Sequence, residues 1–485
     1  MLTLFRDRSF QFLLFAAALL FAYREWITQS APIHLFFDEA YYFGWSQSLD
    51  WGYYSKPPMV AWLIRLTTDL FGSSEWAIKL ASPLLYSITS LILFSIGQRL
   101  HSTRAGLYAG LLFLTMPLVS FNSLFITTDA PLLFFWTLAL LLFLKAQQSN
   151  QWVVWMAAGI VGGLGLLSKY TFILFPAGFL VYAAISKEGR ELLANPRFWV
   201  ACGIAILLLL PNLWWNYQHD FISFQHTAEI SQQSESSFSI VRLIEFLATQ
   251  LAVVGPVSAL ALFASTFMLK RVKGTKLLWA IFIPIFLVIS FQALSARANI
   301  NWGAPAYITG VLLVAILLSL RNSHKILTLA VSINLLLMIG FYHYTSIQKG
   351  LGFEPTPKNN PYSRIQGWYE LSKEIAPSLA QYPELIVASE SRKVAAYFGF
   401  YRDPKNLNAR ALDLDNHIKS HYELLYPVSN EPEASFLFLS ERMDAKSLER
   451  YFNQAVHLDY KKVTVMKGLE RQVYVTLVRG FKDDN

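Results

Sequence analysis

Residues 303–342 read GAPAYITGVLLVAILLSLRNSHKILTLAVSINLLLMIGFY, two apolar runs joined by a short link with Arg321 and Lys325 at its ends. A helix needs about 20 predominantly apolar residues to cross a bilayer, and each run approaches that once its flanks are counted. The same unit recurs upstream. Runs near 9–31, 82–99, 105–121, 130–147, 152–168, 171–186, 198–213, 241–269 and 276–293 precede this pair, which gives about eleven expected spans. Of the 485 residues, 54% are hydrophobic and 15% charged, a composition that suits the bilayer as solvent. No small-residue cleavage site follows the opening run before Arg24, so that run is expected to be a span and not a removable signal. Pro256 is expected to kink the 241–269 run without ending it.

A net charge of +8 suggests nucleic acid only until its distribution is read. The basic residues lie in short loops between apolar runs and form no single patch. With the N-terminus in the cytoplasm, Arg6, Arg8, Arg99, Arg104, Lys145, Lys187, Arg190, Arg197, Lys270, Arg271, Lys273, Lys276, Arg321 and Lys325 all fall on the cytoplasmic side. The opposite short loops hold far fewer, chiefly Arg24, Lys56, Arg65, Lys79, Lys169 and Arg297, so the positive-inside rule selects this orientation. Cys202, the only cysteine, sits inside an apolar run and excludes an intrachain disulfide.

After Tyr344 the apolar runs shrink to strand length. The expected fold is therefore mainly α: a polytopic transmembrane helix bundle over 1–344, with a first outer loop at 33–79, and an extracytoplasmic α/β domain over 345–485. In that domain helices are expected at 364–379, 392–401 and 445–453, and strands at 384–389, 435–440 and 472–479.

The outer loop reads IHLFFDEAYYFGWSQSLDWGYYSKPPMVAWLIRLTTDLFGSSEWAIK. Its segment 59–71 is apolar but too short to span and reads as an amphipathic helix lying in the interface. Tyr41, Tyr42, Trp45, Trp51, Tyr53, Tyr54 and Trp62 fit an aromatic belt at headgroup depth. Asp38 and Glu39 follow an apolar stretch at the membrane boundary, where a carboxylate is hydrated, paired or used. They fit a solvated helix start equally well. Lys56 is presented from a stiff Pro57-Pro58 turn and suits a phosphate as a point charge, whether of a substrate or of any headgroup.

Six segments, DEAYY at 38–42, WGYYSKPP at 51–58, TTDAP at 127–131, LLSKYT at 166–171, WNYQHDFISFQH at 215–226 and NWGAPAY at 301–307, together carry a family likeness. The chain resembles the bacterial branch of the dolichyl-phosphate-mannose protein mannosyltransferase superfamily, GT-C glycosyltransferases that include the aminoarabinose transferase of lipid A. The resemblance covers about the first 340 residues. It implies a polyprenyl-phosphate (undecaprenyl-phosphate) sugar as donor and an acceptor hydroxyl on lipid A, lipopolysaccharide, another surface glycan or a protein, met on the outer face of the inner membrane. It makes Asp38 the catalytic carboxylate with Glu39 beside it, and gives Asp129 an assisting role. It also makes Lys56 a ligand of the lipid phosphate, and Arg297, in the outer loop just before NWGAPAY, suits a second by its position; Tyr42, Tyr54, His226 and Asn301 complete the expected substrate-binding set. The resemblance departs at two places: the aminoarabinose transferase has an arginine shortly after its DE-type acid and a glutamate directly before its KPP lysine, where this sequence has Tyr41 and Ser55. The departure concerns that substrate and a metal site built on that glutamate, not the general chemistry.

Displacing a phosphate from an anomeric carbon builds positive charge on the sugar and negative charge on the leaving group. Asp38 can take the proton of the attacking hydroxyl, while Lys56 and Arg297 stabilise the departing phosphate. No nucleotide is needed on this face and no cofactor is assigned; a divalent metal is left open, with His34 and His226 as its weak candidate ligands. Asp413-Leu414-Asp415 looks like a DxD motif but is short and frequent by chance. The competing readings are a lipid or glycolipid flippase, which would place its polar sites near the bilayer midplane, and a noncatalytic scaffold.

Overall fold

The computed structural model describes residues 4–232, 238–269, 272, 274–404, 409–415 and 417–482; Lys270, Arg271 and Lys273, used above for orientation, lie outside them. The chain divides into two compact units. One holds residues 1–30, 56–60 and 80–342, the other 31–55, 61–79 and 343–485. The outer loop, expected with the transmembrane domain, thus groups with the C-terminal residues except at 56–60.

In the first unit every expected apolar run is helical. Among the described residues seven helices are long and apolar enough to cross a membrane: Arg8–Ser30, Glu75–Leu100, Asp129–Ser149, Pro196–Gln218, Thr275–Ser295, Ile300–Leu320 and His324–Tyr342. A bent pair raises the number to eight, and Trp152–Leu166 and Tyr170–Ile185 are shorter apolar helices. The chain is a multi-pass membrane protein.

Two expected spans are broken. The 241–269 run forms Ile240–Val254 and Pro256–Met268, bent by 110°. Pro256 starts the second helix, where its missing N–H costs nothing, and Gly255 takes φ +89, where a Cβ would also collide with the Asn334 side chain. The 105–121 run forms Thr103–Thr115 and Pro117–Asn122, because Pro117 forces Met116 to an extended ψ of 132.

The Ile300–Leu320 segment is the centre of this unit, with 94% of its apolar window buried, against 22% for Pro196–Gln218. Exposed Phe15, Leu207 and Leu287 are what lipid-facing helices present. Because lipid tails give apolar side chains no reason to hide, such helices are held by close packing and buried polar contacts. Ala81–Leu100 and Thr103–Thr115 meet at Gly97, where a Cβ would lie 2.8 Å from the Gly106 backbone. Arg24, wholly buried, donates to the Leu114 carbonyl at 2.7 Å. The Tyr342 hydroxyl donates to the Ser120 carbonyl at 2.6 Å. These two bonds fix the broken helix that leads into Asp129.

The second unit contains a five-stranded sheet of order β2-β1-β3-β5-β4, with β1 Ile386–Ser389, β2 Arg410–Ala411, β3 Ser435–Ser440, β4 Phe452–Met466 and β5 Leu469–Phe481. β1 pairs in parallel with β2 and β3; β5 is antiparallel to β3 and β4. The helix expected at 445–453 stops at Leu448, and a 15-residue strand begins at Phe452. A two-residue turn at Lys467-Gly468, with Gly468 at φ +79, joins it to β5 as a hairpin. Helices Trp368–Leu379 and Arg392–Arg402 pack with the sheet, and helix Phe37–Gln47 packs on Arg392–Arg402, with the rings of Phe43 and Phe400 at 5.3 Å edge to face.

Candidate active site

Asp38 lies in the first turn of Phe37–Gln47 and is half-buried. Its neighbour Glu39 is 1% exposed and folds back so that Oε2 accepts from the Phe36 N–H at 2.8 Å, a capping interaction that fixes the helix start. The same carboxylate pairs with Lys79 Nζ at 3.5 Å. Lys79 also donates to the carbonyls of Ile33 and His34, each at 3.0 Å. A buried ion pair survives only when its spare donors and acceptors are satisfied, and this one is. It clamps both ends of the turn that carries Asp38, and the helix dipole favours a negative charge there.

His34 Nδ1 is 3.3 Å from both Glu75 oxygens, and its ring stacks on Tyr369 at 3.9 Å. Tyr401 donates to Glu75 Oε1 at 3.0 Å. Of the seven loop aromatics, Tyr41, Tyr42, Trp45, Tyr53 and Tyr54 are buried, so most of the expected belt is packed inside protein; Trp51, 45% exposed, keeps that character. The rings of Trp45 and Tyr53 are parallel at 4.7 Å, and the Tyr41 hydroxyl accepts from the His421 N–H. Tyr42 packs on Trp45 at 4.8 Å.

In the first unit, Asp129 opens the helix Asp129–Ser149 and is 2% exposed. Its Oδ1 is 2.7 Å from Lys169 Nζ, and its Oδ2 accepts from Asn301 Nδ2. Lys56 is half-buried ahead of buried Pro57 and Pro58. The Met59 N–H donates to the Leu167 carbonyl at 3.1 Å, tying this turn to the segment that presents Lys169. Tyr170 stacks on Phe224 at 4.7 Å and accepts from Asn216 at 3.2 Å. Arg297 is exposed on the segment leading to Asn301. His226 lies 3.9 Å from Glu229, and His219 stacks on Trp215 at 4.1 Å. No hydrogen bond or ion pair joins Arg297 or His226 to Asp129, Lys169 or Asn301 among the described residues.

The first unit therefore brings Asp129 and Asn301 together, and the second brings Asp38 and Glu39 together with His34 close behind. Lys169 and Lys79 were missed as site residues. The LLSKYT segment carried the signal for Lys169; nothing local marked Lys79. Among the described residues no three His, Cys, Asp or Glu side chains group so as to hold a metal ion. Asp415 is an exposed partner of Lys419, which gives the DxD triplet an ordinary surface ion pair.

Residues 55–215 match the family described as dolichyl-phosphate-mannose-protein mannosyltransferase. The lipid A galacturonosyltransferase RgtD of Rhizobium johnstonii is 33% identical over 414 residues, covering 84% of this chain and 86% of its own. The chain belongs to that bacterial branch of the GT-C mannosyltransferase superfamily. The lipopolysaccharide core galacturonosyltransferase RgtA of the same organism is 28% identical over 49% of this chain and 48% of its own. ArnT from Cupriavidus metallidurans, solved bound to undecaprenyl phosphate, superposes with a TM-score of 0.68 at 16% identity, over 95% of this chain and 97% of its own, and shares the fold. As a member of the superfamily the chain is a membrane glycosyltransferase.

Proposed function

We propose that the chain transfers a sugar from a polyprenyl phosphate such as undecaprenyl phosphate to a hydroxyl of lipid A or a related lipopolysaccharide acceptor. The reaction takes place at the outer face of the cytoplasmic membrane, with the N-terminus inside and the sheet-containing unit outside, as the distribution of basic residues supports. The observation that carries the reading is Asp38, a half-buried carboxylate held at a helix start by the buried Glu39–Lys79 clamp in a chain of this superfamily.

Asp38 removes the proton of the acceptor hydroxyl as its oxygen bonds to the anomeric carbon. The bond from that carbon to the phosphate oxygen breaks, and the electron pair leaves with the polyprenyl phosphate. Lys56 and Arg297 stabilise the phosphate. Glu39 orients Asp38, and Tyr42 and Tyr54 shape the wall behind it. Asn301 and Lys169 hold both oxygens of Asp129, which assists by fixing charge and position. His226 contributes a donor to the sugar or acceptor. A divalent metal has no three-ligand set among the described residues, and no step is assigned to one.

The test is Asp38→Asn in proteoliposomes supplied with donor and lipid A. Loss of general-base help lowers kcat by about 10²–10⁴-fold with donor binding retained; full transfer by this variant refutes the mechanism.

A further inference from the structure

Most cations of the second unit are spent on protein partners. Lys79 pairs with Glu39, Lys393 with Glu441 at 2.6 Å, and Arg410 with Glu431 at 2.6 Å. Arg364 and Arg392 differ. Both guanidinium groups lie over the ring of Phe37, the residue before Asp38, at 5.9 and 5.7 Å. Arg364 also covers Phe36 at 5.0 Å, and Arg392 covers Tyr41 at 5.8 Å. Neither makes a hydrogen bond or an ion pair among the described residues.

This placement is electrostatically poor for the protein alone. Two like charges share one ring, and Arg392 opens a helix whose first turn holds no acidic residue, where the dipole opposes a cation. A guanidinium on an aromatic face keeps its in-plane N–H donors, because the π face takes the charge and leaves the fork open to a carboxylate or phosphate. Arg392 is half-buried, so its charge is less screened than that of a surface arginine.

We propose that Arg364 and Arg392 form a subsite for the carboxylate of a hexuronic acid carried by the donor, and so select the sugar that is transferred. The inference rests on the glycosyltransferase reading above and adds the sugar class to it. The two relatives differ in acceptor, lipid A for one and lipopolysaccharide core for the other, and share the galacturonosyl group. A uronate drawn next to Asp38 brings two negative charges together, and the arginine pair supplies the compensation that a neutral sugar does not need.

The experiment compares two donors on the full-length chain in proteoliposomes: a polyprenyl phosphate carrying a hexuronic acid and one carrying the matching neutral hexose. Each is paired with phosphorylated and dephosphorylated lipid A. The wild type favours the uronate in kcat/KM by about 100-fold or more, as expected when a polar site rejects an analogue lacking its partner. Arg364→Gln with Arg392→Gln removes most of that preference, chiefly through KM for the uronate donor, and Lys at both positions restores part of it. Hexose transfer by the same protein shows that the variant is folded. A wild type that uses both donors equally, or variant losses that follow the acceptor phosphates and not the donor carboxylate, overturns the subsite while leaving the glycosyltransferase reading intact. No transfer from either donor overturns that reading, and the subsite with it.

Discussion

Each unit contains a buried lysine–carboxylate pair, and the two are built differently. Lys79 is 1% exposed and gives its ammonium to Glu39 and to two backbone carbonyls. Lys169 is 15% exposed and meets one partner, Asp129, leaving two of its three donors uncommitted among the described residues. The first pair is closed: everything it can bond to is already protein. The second is open, and its carboxylate is held from the far side by Asn301. A closed pair acts as a structural clamp, whereas an open one keeps capacity for an incoming group, so burial alone does not mark a catalytic charge.

The largest expected effect separates the two roles. Lys79→Met leaves Glu39 charged and unpaired in a buried site, at a cost of about 3–5 kcal/mol. In detergent the variant unfolds at a clearly lower temperature, and Glu39→Gln added to it recovers most of the loss. A single variant as stable as wild type would mean that the pair is not the clamp. Lys169→Met acts on the other axis. Transfer falls by about 10²-fold, the scale of one lost electrostatic stabiliser, while stability drops by about 1 kcal/mol, as is usual for a polar contact between membrane helices. If Lys169→Met unfolds the protein as readily as Lys79→Met does, the distinction between open and closed pairs fails.

The same distinction explains what the sequence made legible. Apolar runs announce themselves, so the apolar helices of the first unit were predicted, whereas the more polar Lys187–Leu193 and Ile222–Gln232 were not. A kink was expected at Pro256 but not a 110° break, and the break at Met116 was not expected, because a proline acts on its neighbour within a run that stays apolar throughout. β4 was missed because Asn453, Gln454, His457 and Asp459 interrupt its apolar alternation, and its partner β5 supplies the pairing that local sequence cannot. At the site, Asp38, Asp129 and Asn301 were marked by their segments. Lys79 was read as a loop charge, since its partner stands 40 residues away in sequence and only the fold joins them. Arg364 and Arg392 fell in a domain whose residues carried no motif, and their shared ring, Phe37, belongs to the distant outer loop.

A third carboxylate, half-buried, extends the comparison with the smallest effect. Glu390 follows β1 and has a hydroxyl where the other two have a lysine: its Oε1 accepts from Ser440 at 2.6 Å, while nearby Lys393 is taken by Glu441. Burial pushes its carboxyl pKa above the ordinary value, and the charge of Glu441 adds to the rise. A carboxyl that holds its proton more tightly folded than unfolded gives stability that is full below the unfolded pKa and lost as pH rises through the folded one. Hydrogen exchange at Ile386–Ser389 and Ser435–Ser440, corrected for the intrinsic pH dependence of exchange, reads this locally. Protection falls from pH 5 to pH 8 in the wild type and stays level in Glu390→Gln, which keeps the oxygen that accepts from Ser440 and cannot ionise. Protection that rises with pH would instead mean that Glu390 has a cationic partner in the folded chain, which would put it with Glu39 and Asp129.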